Sequence, residues 1–122
     1  SMLNVVTGAA GTGEAVLLRA GWPLAASQPT VQQRRFGQGR VPANPQRWCD
    51  GPAKLTQAAG VDRALNGLPL GPGQPLLVLA GPPVPDADVD VGPRVGIDYA
   101  GADAALPWRY RLRAGIQLGH DR

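Results

Sequence analysis

Seventeen glycines and thirteen prolines in a chain of 122 residues keep every regular element short, because each glycine weakens and each proline interrupts the backbone ladder it falls in. That proportion touches the range in which low complexity sets in. The apolar runs Ala15-Val16-Leu17-Leu18 and Pro75-Leu76-Leu77-Val78-Leu79-Ala80 oppose such an outcome, since they supply the burial that a core needs. A folded, loop-rich single domain is expected over residues 3–118, with 119–122 as a tail. The apolar fraction of 43% suffices for one modest core.

Leu3 to Thr7 is short and β-branched, and Gly8-Ala9-Ala10-Gly11-Thr12-Gly13 separates it from the apolar Ala15 to Ala20, which predicts a hairpin. A proline-containing loop over 21–30 leads to a short helix from Thr30 to Phe36 that exposes Arg34 and Arg35. Residues 37–50, with Pro42 and Pro45, form a loop. Asp50 caps a second helix that starts near Pro52, carries the stripe Leu55, Ala58 and Ala59, and ends at Gly60. Further strands are expected at Leu76–Ala80, Arg94–Asp98 and Trp108–Leu112, with an acidic, proline-rich surface loop over 81–90. Strands with short helices between them, and connections too short for parallel pairing, predict an α+β fold on a curved, mainly antiparallel sheet.

The net charge of +3 is unevenly placed. The front half is basic and the back half slightly acidic, and all but one of the basic residues are arginine. Such a distribution suits a phosphate-facing surface, and equally a solvated basic face. Cys49 stands alone, which excludes an internal disulfide and a cysteine-based zinc site and makes the reducing cytoplasm the expected compartment. No segment approaches a membrane span, and the first residues lack the charged start and cleavage site of a signal peptide.

Lys54 lies in the first turn of the second helix, where a cation costs about 0.3–1 kcal/mol unless an anion is bound. A phosphate at that helix start would reverse the sign. Arg19 closes an apolar strand and needs either solvent or a polar partner. Glu14, the sole glutamate, falls in the glycine-rich turn, a poor place to orient a general base. Asp98, beside a strand end, is the better carboxylate. The segment Gly92-Pro93-Arg94-Val95-Gly96-Ile97-Asp98-Tyr99-Ala100-Gly101 suits backbone that approaches a planar ligand, and Trp22, Trp48 and Trp108 serve either base stacking or packing. His120 falls in the tail. Neither a Ser/His/Asp set nor a phosphate-binding glycine loop is present.

In order, the segments Leu3-Asn4-Val5-Val6-Thr7-Gly8, Glu14 to Ala20, Arg34-Arg35, Gly51-Pro52-Ala53-Lys54-Leu55-Thr56-Gln57-Ala58, Gly92 to Gly101 and Leu106-Pro107-Trp108-Arg109-Tyr110 resemble the C-terminal part of the alkyladenine (3-methyladenine) DNA glycosylase family, the vertebrate-type enzymes also found in bacteria. The resemblance implies flipping of an alkylated or deaminated purine out of duplex DNA and hydrolysis of its N-glycosidic bond by a glutamate-activated water, with no metal or other cofactor. By the same resemblance, Asn4 matches the asparagine at the pocket floor that rejects the amino group of guanine. Arg19 matches the arginine that helps hold the nucleophilic water, and the Val95 carbonyl matches its backbone acceptor. Lys54 matches a lysine near the DNA backbone, with Arg34 and Arg35 expected to face phosphates.

One departure limits the expectation. The family's catalytic glutamate, base-stacking tyrosine and histidine, and wedge tyrosine precede the segment that matches Asn4, and Glu14 does not correspond to the glutamate. Three accounts follow: an active enzyme cut short, a remnant that binds DNA without excision, or a subunit completed by another polypeptide. A hairpin that starts at residue 3 leaves a sheet edge and apolar surface uncovered, which predicts self-association or a partner.

Overall fold

In this computed structural model, residues 1–116 are described; His120 and the 119–122 tail lie outside them. The described contacts fall into two compact units, Ser1–Val78 and Leu79 onward, and each is treated by itself.

The first unit opens with the expected hairpin. Strand β1 (Leu3–Val6) pairs antiparallel with β2 (Ala15–Leu18) in the register Leu3 to Leu18, Asn4 to Leu17, Val5 to Val16 and Val6 to Ala15. The Thr7 N–H donates to the Glu14 carbonyl at 3.0 Å, and within the turn the Thr12 hydroxyl donates to the Ala9 carbonyl at 2.6 Å. Gly11 and Gly13 take φ values of 88° and 66°, which side-chain-bearing residues adopt only at a cost, so the turn needs its glycines.

Helix α1 (Gln28–Phe36) carries Pro29 in its first turn, where a missing N–H costs nothing, and begins two residues earlier than expected. A 3-10 turn, Ala25–Ser27, precedes it. Helix α2 (Pro52–Ala59) runs where the sequence places it. Gly60 stops it at φ 70°: its N–H donates to the Gln57 carbonyl at 3.2 Å and the Val61 N–H to the Thr56 carbonyl at 2.9 Å. This pair of bonds satisfies carbonyls that the helix end leaves free. The residue before α2 corrects one expectation. Gly51, in extended conformation, occupies the cap position with no side-chain bond, and Asp50 does not cap the helix.

The core lies between the two helices and the loop that joins them. Val31, Trp48, Cys49, Thr56 and Ala58 are buried, with Phe36, Val41 and Leu55 packed against them. Trp48 is 3% exposed, meets the edge of Phe36 at 6.1 Å between ring centroids, and donates its indole N–H to the Pro42 carbonyl at 2.8 Å. The buried indole thus has its polar atom satisfied. The Thr56 hydroxyl lies 2.8 Å from the Ser1 carbonyl, which ties the start of the chain to α2.

In the second unit, strand β3 (Val89–Gly92) pairs antiparallel with β4 (Arg109–Leu112), so that Val91 faces Tyr110 and Asp90 faces Arg111. The fold is α+β and its pairing antiparallel, as expected, with the strands divided between two two-stranded sheets. β3 falls at the end of the segment read as a surface loop; the Asp90 carboxylate accepts from the Arg113 guanidinium at 3.2 Å across the ribbon. Two expected strands do not form. Leu76–Ala80 is irregular and Leu79 is 80% exposed, with no strand among the described residues paired to it. Arg94–Asp98 is interrupted by Gly96 at φ 75° and runs into 3-10 turns over Asp98–Ala105.

Candidate nucleic-acid interface

The hairpin register brings Asn4 and Arg19 to one face. Asn4 lies directly opposite Leu17, and Arg19 follows two residues along, one residue beyond β2, so alternation turns both to the same side. Diagonal neighbours of this kind sit about 7–8 Å apart. Both residues are exposed, and neither side chain forms a hydrogen bond or ion pair with the described residues. Val6 and Ala15, on the same face, are exposed as well. A carboxamide and a guanidinium with all their donors unused, on a surface of small apolar groups, can hold a polar planar ligand or a water molecule.

Lys54 is the third residue of α2 and is exposed, but its penalty at the helix start is already offset. Its ammonium donates to the Asp50 carboxylate at 2.8 Å, and Arg47 approaches the same carboxylate at 3.5 Å. The Lys54 hydrogen bond, and then the two cations, hold the Asp50 carboxyl below its usual pKa. Arg35, Arg47 and Lys54 together line a hollow of about 360 Å³, completed by Pro42, Ala43 and Asn44. Of the three cations that line the hollow, Lys54 and Arg47 share the Asp50 carboxylate and Arg35 has no carboxylate partner among the described residues, which leaves a local excess of positive charge that suits an anion such as a phosphate. Arg47 was not singled out from the sequence. The signal available was its spacing, three residues before Asp50 and seven before Lys54.

Arg34 and Arg35 are held from within. The Arg34 guanidinium donates to the Ala58 carbonyl at 3.1 Å, and Arg35 donates to the Trp48 carbonyl at 2.8 Å and to the Gln57 side chain at 2.6 Å while stacking 4.8 Å over Phe36. Arg35 reaches the hollow from this anchored position. Cys49 is buried, and burial raises its thiol pKa, so it is protonated and inert at neutral pH.

In the second unit Val95 lies in the bend after β3, with an exposed side chain and a carbonyl that accepts no hydrogen bond from the described residues. Tyr99 is 87% exposed, and Asp98 is exposed at the start of the 3-10 turns. Trp108 lies under the Arg94 guanidinium, 4.9 Å from its ring centroid. Among the described residues no three His, Cys, Asp or Glu side chains are grouped to hold a metal ion.

Residues 1–115 match the family model described as methylpurine-DNA glycosylase, which covers the hairpin, both helices and the β3–β4 ribbon. This chain belongs to the methylpurine-DNA glycosylase family. Three relatives share the name "Putative 3-methyladenine DNA glycosylase". That of Carboxydothermus hydrogenoformans is 41% identical over 110 residues, 90% of this chain and 53% of its own length. That of Myxococcus xanthus is 40% identical over 111 residues, 90% of this chain and 48% of its own, and that of Bacillus subtilis 37% over 110 residues, 90% and 52%. The chain spans about half the length of the curated relatives it matches. Among its described residues no helix is long and apolar enough to cross a membrane.

Proposed function

We propose that this chain is part of a base-excision repair glycosylase that hydrolyses the N-glycosidic bond of flipped alkylated or deaminated purines in chromosomal DNA, of the 3-methyladenine and hypoxanthine type. The observation that carries this is the presence, within a family match over 1–115, of Asn4 and Arg19 on one exposed hairpin face, their side-chain donors unused among the described residues. In this scheme Asn4 sorts bases by their amino groups, Arg19 is a water-holding donor of the first unit, the Val95 carbonyl is a water acceptor of the second, and the hydrolytic water's proton passes to a carboxylate that this chain does not supply. The hollow of Lys54, Arg47 and Arg35 takes a DNA phosphate. Arg34 supports it by fixing the end of α2.

One observation favours an alternative, duplex binding without excision, by this chain alone or with another polypeptide. Glu14 is the sole glutamate and sits exposed in the hairpin turn, a poor place to orient a general base. Single-turnover release of hypoxanthine or ethenoadenine from duplex DNA separates the two. It is measured with this chain and with a version extended upstream in the reading frame. Release only by the extended version supports the proposal as stated, release by the chain alone assigns the base to a residue within it, Asp98 first, and binding without release by either selects the alternative.

A further inference from the structure

Arg94 is the residue of the second unit whose surroundings the family match leaves unexplained. Its guanidinium stacks on the Trp108 ring at 4.9 Å and approaches the Asp103 carbonyl at 3.4 Å, and its Nε is, among the described residues, the buried side-chain polar atom with no hydrogen-bond partner. A planar cation held at two points by an aromatic face and a carbonyl is a fixed object, not a solvated side chain. The anchor lies immediately before Val95. Immediately after it, Gly96 turns the chain at φ 75°, and the Ile97 carbonyl accepts the Ala100 N–H at 2.8 Å. The two residues Val95 and Gly96 therefore bridge two fixed points, and the peptide between them bears the Val95 carbonyl. Glycine is the one residue that takes this φ freely, so without the anchor that peptide plane is free to rotate.

We propose that Arg94 is a positioning residue: its guanidinium, clamped on Trp108 and Asp103, fixes the Val95–Gly96 peptide so that the Val95 carbonyl is held ready to accept a hydrogen bond from the hydrolytic water. The inference rests on the role given above to Val95. It assigns Arg94 no contact with DNA, substrate or water. The clamp also accounts for the arginine itself, since lysine would keep the charge and lose the flat stack on the indole.

Backbone relaxation by NMR on the whole chain tests the clamp without any activity. In Arg94→Ala the order parameters of Val95 and Gly96 are expected to fall from the rigid range near 0.85 to below about 0.6, while those of Val31 and Ala58 stay as they are. Arg94→Lys is expected to fall between, and decides the matter where the alanine variant does not fold. Unchanged order parameters at Val95 and Gly96 in a folded variant overturn the proposal. In the preparation that releases hypoxanthine, Arg94→Ala is expected to slow single-turnover release about tenfold or more with the affinity for lesion duplex unchanged. Weaker binding at an unchanged rate would place Arg94 on DNA instead and overturn it too. Release by no preparation removes the excision scheme, and the relaxation measurement then still decides whether Arg94 holds the peptide.

Discussion

The helical layer of the first unit and the β3–β4 ribbon of the second use the same residue types in opposite ways. Between α1 and α2 the polar groups are consumed: the Trp48 indole, the Thr56 hydroxyl and the Arg34 and Arg35 guanidinia all bond to backbone carbonyls, around a core of Val31, Trp48, Cys49 and Ala58. In the ribbon no residue is buried, Tyr110 is 69% exposed, and the Val95 carbonyl in the bend after β3 accepts no hydrogen bond from the described residues. The first hairpin sides with the ribbon, since the Asn4 and Arg19 side chains bond to none of the described residues. Groups already spent on the fold hold it together, and unspent ones are free to act on something else.

If that division holds, the largest effect on stability comes from the helical layer. Trp48→Ala removes a buried indole and its hydrogen bond and is expected to cost about 3–5 kcal/mol, read by urea unfolding. A loss below about 1 kcal/mol would mean that the layer is not the stabilising core. Gly60→Ala is expected to cost about 1–2 kcal/mol, because the residue sits at φ 70° and a Cβ would come 3.0 Å from the Arg34 guanidinium. Arg34→Ala should remove part of that penalty when the two are combined, and strict additivity would show that the contact does not matter.

The exposed groups should behave in the reverse manner. Lys54→Ala is expected to change the melting temperature little and to flatten the salt dependence of duplex binding by about 0.9 in the slope of log K against log salt, one phosphate's worth. An unchanged slope removes Lys54 from the interface. The smallest effect concerns Asp50. Its carboxyl pKa is lowered in the folded chain, so the Lys54 pair contributes at neutral pH and down past the ordinary value of 3.8, and is lost as pH falls through the lowered one. Lys54→Ala should move the Asp50 titration, followed by carboxyl NMR, back toward 3.8; an unmoved titration would deny the pair its role.

Much of this was legible in the sequence, and the failures share a cause. The hairpin, α2 and its stop at Gly60 follow from local chemistry: glycines where positive φ is needed, proline in a first helical turn, an apolar stripe at helical spacing. Leu76–Ala80 reads as a buried strand and is not one, because an apolar run becomes a strand only where a partner edge meets it. Val89 and Asp90 fall in the segment read as a loop and yet pair, because their strand partners Leu112 and Arg111 lie about twenty residues away, beyond any local pattern. Likewise the anion that settles Lys54 is Asp50, four residues back, a helical spacing visible in the sequence and read instead as a cap. The shared face of Asn4 and Arg19 follows from strand alternation once the hairpin register is known, whereas the Arg47 hollow depends on a loop path that no periodicity encodes.

If the unused face of the hairpin carries the chemistry, Arg19→Ala alters single-turnover release of hypoxanthine from duplex DNA by the upstream-extended protein, measured beside wild type with the melting temperatures of both taken in parallel. Release at least tenfold slower in Arg19→Ala at an equal melting temperature is the predicted result; equal rates in the two proteins would contradict it.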